Sequence, residues 1–483
     1  MKPWTLPMLV SLFVVSCTKT LNTPSGAVPP ETKHPVEVLD EHIFFISATG
    51  DSLNHGHSPE KPWDLATANR YTFQPGDIIE IIEQVEGTLT LNESGSANQP
   101  ITIKGGTITN KSGHGLVLYN CDHIIVRNLQ IRGSGQFNSN PTDAGIYLLS
   151  DDRQRHGNIT IDEVVVKGFG LAGIYSELAM SPNTKWESEA ASMAYPGGFD
   201  NLTVNRCVTD SNGFTGIQIG GSWPGKQNRN IVIKNTIASY NRGIKGMQPH
   251  TGNGIIITNT SNGLIDSCTA SYNGWEYGHA NVGIWTYTSD NITIQRSIAF
   301  RNQSKSSADG DGFDIDGGTS NCVMQYNLAY ENDGAGFLAY EFGDPNGMKN
   351  NAIRYNISYN DARKNKQYGG ITYGGQVAQE NLYLYNNTIV KPEGKAITRI
   401  GYEVKGLLDI RNNILSAPEQ SALSTSASNN LSGIVKLGDQ FFPLAGSKAI
   451  DAAEEIKGLP STDFYGTPIR GIRDIGAVEY KPD

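Results

Sequence analysis

Charge is scarce in this chain. Only 18% of its 483 residues are Asp, Glu, Lys or Arg, and the acidic ones predominate, leaving a formal net charge of −10. That balance excludes nucleic acid as a partner, and any polyanion held by bulk charge, because such partners select basic surfaces; a local basic pocket stays open. Long apolar runs are equally rare. Past the first 17 residues, no segment approaches the roughly 18 continuous apolar residues of a membrane span. Cysteine is confined to Cys17, Cys121, Cys207, Cys268 and Cys322, with no C-x-x-C pair, which argues against structural zinc. The last four each lie near a β-rich run, where small buried side chains are expected; disulfides stay open, but spacing dictates no pairing. Also missing are a 3.6-residue period and a leucine framework, which removes helical and leucine-rich repeats.

Glycine, by contrast, is plentiful, with 54 residues, and it recurs in a pattern. A Gly followed by an apolar residue opens a short strand at Gly115-Leu116, Gly145-Ile146, Gly173-Ile174, Gly216-Ile217, Gly254-Ile255, Gly283-Ile284, Gly312-Phe313, Gly336-Phe337 and Gly370-Ile371. Most openings are followed by a second run such as Asn230-Ile231-Val232-Ile233 or Asn291-Ile292-Thr293-Ile294, then a turn such as Ser239-Tyr240-Asn241. A unit of two or three strands cannot bury its own apolar face, but stacked units share one core. The predicted fold is therefore all-β: a right-handed parallel β-helix with loop insertions, one domain over residues 37–483. The start around Ile43 to Ile79, with Trp63, and the end from Ser447 to Tyr480 resemble the usual ends of bacterial β-helix proteins.

The first 17 residues stand apart. Lys2 gives a basic start, Leu6 to Val15 an apolar core, and Val14-Val15-Ser16-Cys17 resembles a bacterial lipobox. The resemblance implies a lipoprotein signal over 1–17, lipidated at Cys17, with residues 18–36, rich in Pro, Thr and Ser, as a flexible tether. The expected location is the bacterial cell envelope, at the outer membrane or cell surface, and the expected state is a monomer held by a lipid anchor.

Strand alternation predicts that the residue after each Gly points inward and the next points outward. The outward columns then carry aromatics beside carboxylates, a surface suited to the C–H faces and hydroxyls of an oligo- or polysaccharide. The densest stretch runs from Ala308 to Gly318. Asp314 and Asp316 are expected outward on one strand, Asp309 in the turn before it, Trp285 and Tyr287 one coil earlier, and Tyr340 one coil later, with His250, His279 and Glu341 nearby as substrate-binding candidates. Asp311 reads equally as a turn residue.

This core resembles carbohydrate-active β-helix proteins. The β-helix lacto-N-biosidases use two aspartates seven residues apart, the first as acid/base and the second as nucleophile, and Asp309 and Asp316 have that separation. The resemblance implies a glycoside hydrolase with Asp309, Asp316 and Asp314 as catalytic candidates and no required cofactor. A looser likeness to family 9 pectate lyases implies an alternative, a polysaccharide lyase with Ca2+ held by Asp311 and Asp333 among others. A third reading is a surface glycan binder without chemistry.

The lipobox reading has a direct check. Replacing Cys17 by Ala removes the acylation site, and with it most of the hydrophobic attachment. The variant is expected to move from the membrane fraction to the soluble one; unchanged partitioning would refute the anchor.

Overall fold

Short runs alternating apolar with polar residues send every second side chain to one side, and each coil of this chain uses such a run three times. The computed structural model describes residues 40–178 and 189–482; Cys17 and the tether 18–36 lie outside the described residues. The strands stack into three parallel sheets. The first has 13 strands, from Ile43–Ile46 to Lys405–Arg411; the second has 13, from Gln84–Glu86 to Leu431–Gly433; the third has 11, from Leu89–Leu91 to Ile397–Gly401. The chain visits them in that order once per coil, which is the right-handed parallel β-helix.

Register along the third sheet aligns Ile146, Ile174, Ile217, Ile255, Ile284, Phe313, Phe337, Ile371 and Ile397 as one column. All are fully buried, and Phe313 and Phe337 stack with centroids 5.2 Å apart. The repeated Gly before this column has a steric cause. A Cβ on Gly312 would lie 2.8 Å from the Gly336 carbonyl oxygen and 2.9 Å from Asn332 Nδ2, so the corner admits no side chain.

Asn332 belongs to a second repeating device. Inside the corner between the second and third sheets, Asn241 Nδ2 donates to Asn273 Oδ1, Asn273 to Asn302, Asn302 to Asn332 and Asn332 to Asp361, at 2.8–3.0 Å. Each Oδ1 also accepts the backbone N–H of the preceding coil's residue, as in Asn302 N to Asn332 Oδ1. A parallel ladder, Asn327, Asn356, Asn387, Asn413 and Asn430, fills the corner between the first and second sheets. These buried amides satisfy the backbone groups that the corners take out of the sheets. Cys121, Cys207, Cys268 and Cys322 are buried free thiols, raised by burial to about 12. Toward the C-terminus, Ala477 and Val478 pack with Phe464, Phe441 and Phe442 on Ile357 and Leu328, covering the outside of the second sheet.

Asn302→Ala tests the ladder. It strips the acceptor from two donors of Asn273, N–H and Nδ2, and is expected to destabilise the fold by about 1–3 kcal/mol. Thermal denaturation measures this; an unchanged midpoint would mean that the amides do not hold the corner.

Candidate active site

The strand Asp311–Asp316 lies in the third sheet between Val282–Tyr287 and Phe337–Glu341. Phe313 and Ile315 enter the core, so alternation turns Asp314 and Asp316 to the outer face. Register sets Asp314 between Trp285 and Leu338, and Asp316 beside Tyr340.

Much of this outer face is covered, which corrects the expectation of open aromatics there. Ile256, Val282 and Trp285 form a satellite core on this face, with Tyr287 at its edge, and His250 from the turn 240–252 lies against Trp285. Trp285 does point away from the main core, yet only 4% of it is exposed. His250 meets its ring edge-on at 5.0 Å and Tyr287 flanks it at 5.0 Å, so the indole has no open face for a sugar. His250 is itself wedged between Phe214 and Trp285 and bonded to Asn253. Burial, then the neighbouring His279, push it down to about 4, so the half-buried ring packs there as a neutral imidazole. Glu341 is a second correction. Its fully buried carboxylate accepts the backbone N–H groups of Gly318, Gly343 and Asp344, which makes it the clasp of the turn after its strand.

The four aspartates divide by depth. Asp309 and Asp316 are half-buried and reach the surface, whereas Asp311 and Asp314 are buried. Asp314 therefore faces outward without being reachable, contrary to its expected catalytic exposure. One oxygen of Asp311 accepts the Ala335 N–H; its other oxygen and Asp314 Oδ1 have no hydrogen-bond partner among the described residues. Desolvation, followed by the like charge of Asp309 for Asp311 and of Asp316 for Asp314, holds both carboxyls well above the ordinary range.

Asp309 stands in the turn 301–310 with a positive φ of 54°. Its Oδ1 accepts the Tyr368 hydroxyl at 2.9 Å, its N–H donates back to that oxygen, and its carbonyl accepts Asn365 Nδ2 at 2.7 Å. Burial pushes Asp309 up to about 6, opposed by Tyr368 and by the charge of His279. Asp316 is raised too, by burial and then by the charges of Asp309, Glu341 and Asp344, against one bond from the Gly317 N–H. The Tyr340 hydroxyl is raised by burial, then by Asp316, its partner in register, and by Asp309. Tyr287, half-buried, is raised by burial and by Asp316. Asp316 and Tyr340 thus stand side by side on the outer face, Tyr340 packs against the cluster that holds Tyr368, and Tyr368 holds Asp309.

Tyr368 escapes a reading of the sequence because it lies two coils away, in the turn 360–370. The signal available was its place just before the Gly370 opening, where the same corner carries Asp309 before Gly312. Among the described residues no three His, Cys, Asp or Glu side chains converge as metal ligands. Asp333 instead accepts the Ser304 N–H and faces Arg363 at 3.8 Å.

The model of the family described as "Right handed beta helix region" matches residues 188–353. Among curated proteins the chain is similar to a lacto-N-biosidase of Bifidobacterium longum subsp. longum, 22% identical, with 90% of this chain and 36% of that protein covered. The chain thus spans about a third of that relative's length. Among solved structures it is similar to a lacto-N-biosidase from Eubacterium ramulus, with a TM-score of 0.57 and 17% identity over 76% of this chain and 68% of the other. It is also similar to a mannuronan C-5 epimerase A-module from Azotobacter vinelandii, with a TM-score of 0.54 and 13% identity over 74% and 90%. Together with its own three sheets, these likenesses make the chain a right-handed parallel β-helix protein.

Proposed function

We propose that the chain is a glycoside hydrolase acting on an oligo- or polysaccharide, with Asp309 and Asp316 as its carboxyl pair and Cys17 as its anchor to the cell envelope. One observation carries the reading: Asp309 and Asp316 are partly exposed, with Tyr340 beside Asp316 and Tyr368 bonded to Asp309, while Asp311 and Asp314 are buried. The seven-residue spacing and the lacto-N-biosidase relatives support the same chemistry.

In this reading Asp309 is the acid. A carboxyl near 6 holds its proton in mildly acidic solution yet yields it to the glycosidic oxygen in the transition state. Tyr368 engages Oδ1, which leaves Oδ2 to carry that proton. Asp316 attacks the anomeric carbon or activates a water. With Asp309 protonated, the Asp316 carboxylate is disfavoured at rest by burial and by the charges of Glu341 and Asp344, and positive charge developing on the sugar relieves that repulsion. The interaction therefore strengthens toward the transition state, as catalysis requires. The charges acting on Asp309 and Asp316 come from carboxylates and His279. Lys364, the nearby lysine that a lyase would want as base, donates to the Ser306 carbonyl at 3.1 Å.

Product analysis on a glycan panel tests the reading, with unsaturated, ultraviolet-absorbing ends as the outcome that would replace it by a lyase. On the glycan so identified, Asp309→Asn and Asp316→Asn should each fold normally and lose about 10²–10⁴ in kcat. Asp309→Asn should recover on an aryl glycoside whose leaving group needs no proton, and Asp316→Asn should not. Full hydrolysis by either variant on the natural glycan would sink the assignment.

The pH profile gives a separate check. Because the acid form of Asp309 is the active one, kcat/KM should fall as pH rises through about 6. That alkaline limb should vanish in Asp309→Asn on the aryl glycoside. A limb unchanged by the substitution would assign the proton to another group.

A further inference from the structure

The corner between the second and third sheets carries a second concavity, upstream of the aspartates. Where turns are long they project, and where they are short they leave gaps. The turns 133–143 and 240–252 are long, while 168–171 and 211–214 between them are short. The gap is a cavity of about 480 Å³, a volume typical of ligand sites.

Its construction follows from the stacking. The first residues past the second-sheet strands Gln130–Arg132, Val165–Lys167, Val208–Asp210 and Ile237–Ser239 are Gly133, Gly168, Ser211 and Tyr240. Three small residues thus form a floor, and the fourth raises an aromatic wall. A Cβ on Gly133 would lie 2.2 Å from the Gly168 carbonyl oxygen, so this floor cannot carry larger side chains. Behind the wall, Tyr272 stacks parallel to Tyr240 with centroids 4.9 Å apart, which fixes the ring and leaves its other face toward the gap. Tyr240 is 47% exposed, and Trp275, whose Nε1 donates to the Tyr240 carbonyl, is 43% exposed.

The rim is basic in an acidic protein. Arg132 and Lys167 are exposed neighbours in register, and neither joins an ion pair among the described residues. Arg242 lies over the Phe137 ring at 4.4 Å, with its Nε unpartnered and Glu276 at 3.3 Å from Nη1. Asp210 is next in register to Lys167 but lies outside the lining.

A fixed aromatic face beside guanidinium and ammonium groups suits a sugar ring that carries an anion. We propose that this cavity is a second glycan-binding site, distinct from the Asp309–Asp316 opening, which takes a uronate: the ring stacks on Tyr240 and the carboxylate meets Arg132, Lys167 and Arg242. The site holds a glycan chain against the protein without acting on it, and it stands whether or not the aspartates are catalytic.

Calorimetric titration of the full chain with trigalacturonate, and with its methyl ester as the uncharged control, tests this. Trigalacturonate should bind about tenfold or more tighter than the ester, and added salt should weaken it. The double variant Arg132→Gln/Lys167→Gln should lose about tenfold or more of that affinity. So should Tyr240→Asn, in which Asn tolerates the positive φ of 55° at this position, and neither should change the thermal midpoint. Absence of binding by the wild type, equal affinity for acid and ester, or wild-type affinity in both variants would each overturn the proposal.

Discussion

Every feature of this protein is answerable to one constraint: each coil must lie against the next at the spacing of a parallel ladder, about 4.8 Å, at three sheets and two buried corners at once. The sheets meet it with ordinary backbone bonds. The corners are harder, since the chain turns there and its N–H and C=O groups point into the protein. Asn side chains at 241, 273, 302, 332, 356, 387 and 413 supply a donor and an acceptor at the repeat distance, so each corner becomes a hydrogen-bonded column in its own right. Gly at 254, 283 and 312 is the counterpart, present because the carbonyl of the next coil occupies the space of a Cβ.

A scaffold held this tightly can keep like charges together. Asp309, Asp311, Asp314 and Asp316 repel one another, and burial raises the cost. A flexible loop would relax by separating them. Here Asp311, Asp314 and Asp316 share one strand between two others, and Asp309 is tied by Tyr368 and Asn365 from the turn two coils on. The repulsion is therefore expressed as carboxyls held above their ordinary range instead of as movement.

What the sequence makes legible is whatever depends on period. The Gly openings, the inward column and the outward direction of Trp285, Asp314 and Asp316 all follow from alternation plus stacking. The failures are equally systematic. Whether an outward residue is open depends on the turns above it, and nothing in the strand reports that the turn 240–252 lays His250 against Trp285. Glu341 looked like a ligand-facing carboxylate because its strand carries Tyr340, yet three backbone N–H groups consume it. Tyr368 was out of reach for another reason: its contact with Asp309 spans 59 residues of sequence and joins two turns whose lengths set where they meet.

Turn length at one corner is thus the variable that converts a repetitive core into particular surfaces. The corner after the second sheet carries Asp309 and Tyr368, which shape the carboxylate opening, and also Arg242 and Trp275, which close the basic cavity. Residues 240–252 serve both, with Arg242 at one end and His250 at the other. Because the stack beneath is fixed by the Asn column, lengthening or shortening a turn alters these surfaces at little cost to the core. The same logic explains how a chain of net charge −10 presents an acidic opening and a basic cavity along one corner: the charges sit on turns and strand ends that the core does not constrain.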